Sequence, residues 1–321
     1  MQEASNSVKS LFVSLDIQKK NGKMDRNLTA FLEVARRENL TLAADSLGLT
    51  QPSVTKRIAM LEEEVGAVLF TRQRRGMTLT PAGQVYFAQA QRIEARYASA
   101  KEEVAAVGEA GLSILRVGAG PLFHLAYIAP IFTALKSRFP SIRLDLVADA
   151  NVRTIPMLKD HRLDVVFGAI DRLGVDDSIH LETMTWIEHG IVLRPDDPAA
   201  SNSKVDPWAL SEKKWVLYTE DHEAERAIGS YYLASVGNAP SVDIRTTSFM
   251  TGLQLVTQGD FVMSAPLQLA AIIEKEGLVI RPAVHGSPRR EAGAHLRKST
   301  LGFGVVQALL DEIRKAPVPD A

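Results

Sequence analysis

Residues 50–57 read Thr50-Gln51-Pro52-Ser53-Val54-Thr55-Lys56-Arg57. At helical spacing Val54, Ile58 and Leu61 share one edge, and Gln51, Ser53, Thr55, Lys56 and Arg57 fall away from it. Short amide and hydroxyl groups beside cations are the types that hydrogen-bond base edges and hold phosphates. A second cationic cluster follows at Arg72, Arg74 and Arg75. The rest of the chain offers little competing chemistry. It has no cysteine, which excludes disulfides, thiol catalysis, Cys-ligated zinc and thiol redox sensing. Its 7 histidines are scattered without ligand spacing, so no metal site is expected. There is no Walker loop, no HExxH and no Gly-x-Ser-x-Gly, and "GAGPLF" lacks the third glycine of a dinucleotide loop. No cofactor is expected.

The elements that must position Gln51 and its neighbours are helices. From Met24, Leu28, Phe31, Leu32 and Ala35 recur at i, i+3, i+4, i+7. A short second helix fits Leu42 to Leu47 and closes at Gly48, where the chain needs positive φ. Thr50 then reads as an N-cap, with Pro52 in the first turn of a third helix. Ala43 and Ala44 leave room for the crossing, so the unit reads as a helix-turn-helix. Val68, Leu69 and Phe70, the basic loop, a turn at Gly76 and a strand-like Met77 to Leu79 have the layout of a wing.

Length and charge bound the rest. The chain has 321 residues, 46% hydrophobic and 23% charged, enough for two or three domains with cores. Net charge is -1, so a nucleic-acid site must be a local patch. No apolar run spans a bilayer, and no membrane partner is expected. Residues 1–23 read as an extended, disordered N-terminal tail, without the basic start or cleavage site of a signal peptide, which makes the cytoplasm the expected compartment.

The stretch "FLEVARRENLTLAADSLGLTQPSVTKRIAMLEEEVGAVLFTRQRRGMTLTPAG" closely resembles the N-terminal domain of LysR-type transcriptional regulators. Size and domain order agree with that family over nearly the whole chain. Residues 24–80 would then form the winged helix-turn-helix, with Thr50, Gln51, Pro52, Ser53, Thr55, Lys56, Arg57, Arg72, Arg74 and Arg75 facing double-stranded promoter DNA.

Thr80-Pro81 opens another helix, in which Tyr86, Ala90, Ile93, Tyr97, Ala100, Val104 and Val107 alternate spacings of four and three. That seam asks for a partner helix, and residues 81–110 read as a linker and dimerisation helix. The resemblance implies the same homodimer, with a homotetramer beyond it. Two reading helices on one duplex call for an imperfect inverted repeat.

Beyond Gly108 and Gly111 the pattern becomes α/β. Strands are expected at Ser113–Gly120, Ile142–Asp149 and Val165–Ile170, with an amphipathic helix from about Ala126 to Phe139, and the alternation implies parallel sheet. His161 and Arg162 stand where the family commonly has glycine, before a retained Leu163-Asp164. A second unit runs from about Glu188 to Val284, with strands Gly190–Leu193, Trp215–Tyr218, Val242–Thr246 and Phe261–Ser264, and helices starting near Glu223 and Phe249. A final helix is expected at Val305–Ile313. The fold class is therefore α/β, and the family resemblance implies a two-lobed type II periplasmic-binding-protein-like effector domain over residues 111–321. Crossings are placed near Ala169–Arg172 and Val279–Val284, giving lobe I about 111–170 and 281–321 and lobe II about 171–280.

Ligands of such sheets bind beyond the carboxyl ends of strands. That rule selects Gly120, Pro121, Leu122 and His124 in the first lobe. In the second it selects Thr219 and Glu220, then Thr247, Ser248 and Phe249, and Ser264, Ala265 and Pro266. Relatives often carry Ser or Thr at the first of these turns, so Gly120-Pro121-Leu122 favours a more apolar effector or a part for His124. The expectation is a sequence-specific transcriptional regulator, not an enzyme, controlled by a small-molecule effector and altering access for RNA polymerase. An effector-independent silencer is the alternative, and a two-lobed enzyme the weaker one.

Overall fold

The computed structural model describes residues 24–73, 76–106, 111–174, 176–218, 228–229, 236, 241–284 and 289–315. The expected tail of residues 1–23, Arg74, Arg75, Val107, Thr219, Glu220 and the helix start near Glu223 lie outside them.

Asp25 caps α1 (Arg26–Arg37), its Oδ1 accepting the Asn27 and Leu28 N–H groups at 2.8 Å. Asn39 does the same for α2 (Leu40–Leu47), accepting from Thr41 at 2.9 Å and Leu42 at 3.1 Å. Gly48, at φ 62°, ends α2 in the left-handed conformation expected of it. Thr50 precedes α3 (Gln51–Val65) in extended conformation, but its hydroxyl meets that of Ser53 at 2.9 Å and caps no N–H. The wing is an antiparallel hairpin of β1 (Phe70–Gln73) and β2 (Gly76–Leu79). Glu62 ties it to α3 by accepting from the Leu69 N–H at 2.7 Å. Met77 N–H donates to the Glu38 carbonyl at 2.8 Å. A Cβ on Gly76 would lie 2.3 Å from that carbonyl oxygen, so glycine is required at the turn.

Thr80 starts α4 (Pro81–Ala106), its Oγ1 accepting from Gly83 at 2.9 Å. Here the expected seam is corrected at two positions. Ala90 is buried in the core formed by α1–α3 and the wing, and Tyr86 packs edge-on to Phe31 at 5.1 Å. Both serve their own domain and leave the exposed apolar stripe to begin at Ile93. The chain divides into two units between Glu94 and Ala95, inside this helix.

The second unit holds two five-stranded sheets. Lobe I contains β3 (Ile114–Ala119), β4 (Arg143–Ala148), β5 (Val165–Ala169), β6 (Ile179–Ile187) and β12 (Arg290–Arg297), in the order β4-β3-β5-β12-β6. β3 runs parallel to β4 and β5, while β12 runs antiparallel to β5 and β6. Its helices include α5 (Pro121–Ala126), α6 (Ile128–Arg138) and α7 (Asn151–Lys159). The helix expected from about Ala126 to Phe139 is α6, and the short α5 precedes it; the two separate at Tyr127, where Pro130 has no N–H to donate to the Ala126 carbonyl.

Lobe II contains β7 (His189–Leu193), β8 (Lys214–Tyr218), β9 (Val242–Thr246), β10 (Phe261–Pro266) and β11 (Val279–Pro282), in the order β11-β7-β10-β8-β9. The helices α8 (Phe249–Gln258) and α9 (Ala270–Lys275) accompany them, and α10 (Gly304–Lys315) closes the described chain. The first crossing is therefore at Glu188, between β6 and β7, and not near Ala169–Arg172. Residues 179–187, assigned from sequence to lobe II, pair with β12 in the sheet of lobe I. The return lies between Pro282 and Arg290.

His295, in the middle of β12, is buried with Nδ1 3.3 Å from the Val166 carbonyl. Burial pushes its pKa below the ordinary 6.5. The unfolded ring takes up a proton before the folded one does, so stability is complete above pH 6.5 and falls as the pH drops through that value. Thermal midpoints measured from pH 7.5 down to 5.5 should decline less steeply for His295→Gln. Equal slopes would mean that the ring is not held neutral.

Candidate functional site

On α3, Val54, Ile58 and Leu61 are buried against α1 and α2, which aims the opposite edge outward. Gln51, Pro52, Ser53 and Lys56 are exposed, and Thr55 and Arg57 are half-buried at the margin. Arg57 reaches the Arg26 carbonyl at 3.5 Å, drawing its guanidinium toward the start of α1. Arg72 stands exposed on β1, opposite Met77. Gln51 donates from Nε2 to the hydroxyl of Thr41 on α2. Thr41 is a residue that sequence reasoning passed over. Its position in the first turn of α2, beside the helix crossing, was the available signal. The surface presents amide, hydroxyl and cationic groups on a rigid edge next to a hairpin, and can meet bases and phosphates together.

α4 carries a stripe of its own. Ile93 is 50% exposed, Tyr97 38% and Val104 75%, with Ala100 exposed between them. Among the described residues these are the exposed apolar members of the expected seam.

The cleft residues of the second unit behave less uniformly. Gly120 N–H is held by the Phe167 carbonyl at 3.0 Å, and Pro121 has no N–H to offer. Leu122 is buried in the hydrophobic core, so its side chain is unavailable to a ligand and the expectation for it fails. His124 is half-buried with Nδ1 3.3 Å from the Ala119 carbonyl, and burial lowers its pKa. Its ring is neutral near pH 7 and supplies no cation. Ser248 caps α8, accepting from Thr251 N–H at 3.2 Å, and Thr247 before it is exposed. Phe249 is buried edge-on to Tyr218 at 6.2 Å, and Pro266 is buried at the end of β10.

Two places were missed. Asp149, Ala150 and Asn151 follow β4 and open α7, and Tyr218 ends β8. Burial, with the Asp149 carboxylate nearby, pushes the Tyr218 hydroxyl up to about 12. Residues from the two lobes therefore face each other there. The strand-end rule already in use pointed to both places, since the strands Ile142–Asp149 and Trp215–Tyr218 were recognised. Among the described residues no group of His, Asp and Glu could hold a metal ion, and no helix is long and apolar enough to cross a membrane.

Comparison with known proteins places both parts. Residues 26–84 match the family described as bacterial regulatory helix-turn-helix protein, lysR family, and residues 111–317 match the LysR substrate binding domain. The chain is 24% identical over 249 residues to the HTH-type transcriptional regulator TdcA of Escherichia coli, covering 77% of this chain and 78% of that one. It is 30% identical over 217 residues to the HTH-type regulator YwqM of Bacillus subtilis, covering 67% and 73%. Among solved structures, CbnR, a LysR family transcriptional regulator, superposes with a TM-score of 0.67 at 18% identity, over 91% of this chain and 99% of that one. CbnR complexed with its target DNA gives 0.65 at 19% identity, over the same shares. At such identities the structural likeness is one of fold.

Proposed function

The chain belongs to the LysR family of bacterial regulatory proteins, and on that premise we propose how its residues divide the work. It is a DNA-binding transcriptional regulator with a helix-turn-helix domain and an effector-binding domain. In our reading Gln51, Pro52 and Thr55 lie in the major groove of promoter DNA. Thr50, Ser53, Lys56, Arg57 and Arg72, with Arg74 and Arg75, hold phosphates on either side. The supporting observation is the exposed polar edge of α3, set on buried Val54, Ile58 and Leu61 and adjoining the wing.

Ile93, Tyr97, Ala100 and Val104 pair α4 with the same helix of a second copy, and dimers assemble further into tetramers. A small effector enters at the strand ends around His124, Asp149, Tyr218 and Thr247. With His124 neutral and the Asp149 and Arg153 side chains 3.9 Å apart, that place suits an uncharged or largely apolar compound better than a carboxylate. Closure of the lobes shifts the DNA-binding pairs and with them the access of RNA polymerase. The work is done in the cytoplasm.

One pair of variants tests the reading face. Gln51→Ala should relax operator choice, losing about 1–3 kcal/mol of discrimination at one base pair while non-specific binding holds. Arg72→Ala should weaken every sequence alike and reduce the salt slope by about one. Binding measured on operator and random fragments across a salt series separates the two. If Gln51→Ala lowered affinity equally on both fragments, Gln51 would be a phosphate contact or a packing residue.

A further inference from the structure

The face of α4 away from its apolar stripe carries Ser99, Glu102 and Glu103, and these residues meet a buried cation. Arg297, at the end of β12, is 5% exposed. Its NH1 donates to Ser99 Oγ at 2.6 Å and to Glu103 Oε1 at 3.0 Å, and its NH2 donates to Asp164 Oδ1. Asp164, itself buried, accepts the Arg116 N–H at 2.8 Å, and the Arg116 guanidinium forks onto Glu102 at 2.7 and 2.9 Å. His161 completes the ring of partners, its Nδ1 lying 2.6 Å from Arg297 Nη1 and sharing the two N–H groups of that nitrogen with Ser99 and Glu103. An imidazole that accepts from a guanidinium is neutral, and burial together with Arg297 and Arg96 lowers its pKa in the same sense. His161 reaches this place through a left-handed turn, φ 61°, that few non-glycine residues adopt. The Leu163-Asp164 pair and the His161-Arg162 turn, which no part of the DNA or effector reading used, therefore converge on one buried arginine.

We propose that Arg297 is the positioning residue of the linker helix. Gripping Asp164 of lobe I with one nitrogen and Ser99 and Glu103 of α4 with the other, it makes residues 99–106 a rigid part of lobe I. The planar guanidinium fork suits this task, because it holds two directions at once where an ammonium would choose between them. Location adds to the argument. β12 is the strand that returns from lobe II, and its 8 residues run roughly 25 Å from that crossing to Arg297. It is paired on both sides, by β5 and β6, so the path from crossing to helix contains no soft loop. The clamp itself does not depend on DNA. That it carries the effector signal to the DNA-binding arms rests on the regulatory reading above.

Hydrogen exchange on the free full-length protein tests the clamp. Arg297→Met should raise exchange of the amides at 99–106 by about tenfold relative to β3, with Arg297→Lys restoring part of the protection. Should Arg297→Met unfold the lobe, the double variant E102Q/E103Q, altered only at half-buried sites on the helix, decides the matter with the same expected rise. Unchanged protection at 99–106 in a folded E102Q/E103Q protein would overturn the clamp, leaving the helix held by apolar contacts. A second measurement uses a promoter fragment recovered by genome-wide mapping of bound sites. E102Q/E103Q should keep its affinity but lose the defined bend that the parent imposes. A parent bend retained by the variant would overturn the transmission role, whereas a parent that bound no fragment would sink the regulatory reading and leave the clamp standing.

Discussion

Phe31→Ala is expected to abolish DNA binding by melting the N-terminal unit while the remainder of the chain stays folded. The Phe31 ring is fully buried and lies 5.2 Å from Phe70, 5.1 Å from Tyr86 and 6.3 Å from Phe87. It joins α1 to the wing and to the start of α4, so its removal opens a cavity that three elements share. Phe to Ala in such a core costs about 3–5 kcal/mol. Domains are stable by only about 5–15 kcal/mol, and a small unit has little in reserve. Because the chain divides between Glu94 and Ala95, calorimetry should show two transitions, with the variant lowering one and leaving the other in place. Two transitions falling together would mean that the N-terminal unit does not unfold by itself.

Introducing charge into the apolar stripe on α4 should have the other large effect. In Ile93→Asp/Val104→Asp two carboxylates replace side chains that are 50% and 75% exposed, so the folded chain loses little and its thermal midpoint should hold. A partner helix would have to bury both carboxylates unpaired, which is strongly unfavourable. The sedimenting mass should halve. Two linked half-sites bind more tightly than one by about 10²–10⁴, and affinity for a full operator should fall by that factor while binding to a single half-site changes little. A double variant that kept its mass and its operator affinity would show that α4 does not join the subunits. Tyr86 and Ala90, seam residues on periodicity alone, are poor choices for this experiment, because changing them would damage the N-terminal core.

Much of the regulatory architecture can be read along the chain. Gly48 as the turn, Val54, Ile58 and Leu61 as the seated edge of α3, and Thr80-Pro81 as a helix start are all local features. Each follows from backbone conformation or from i, i+3 and i+4 geometry within a few residues. Periodicity specifies which side chains share a face without naming what covers that face. Tyr86, Ala90, Ile93, Tyr97 and Val104 lie on one broad side of α4, and only the folded chain separates those that meet Phe31 from those left bare.

The crossing between lobes escaped sequence reading for a related reason. Strand β6 belongs to lobe I because β12, more than a hundred residues later, pairs with it. No local pattern encodes that pairing. The same holds for Tyr218 opposite Asp149, and for Arg297, an ordinary arginine in sequence that becomes a buried hub between Asp164 and Ser99. The amino-acid sequence by itself determined the elements, the helix-turn-helix and the family. Tertiary structure alone decided which faces are covered, where the lobes join and which charges are buried, because these depend on contacts between residues that sequence distance keeps apart.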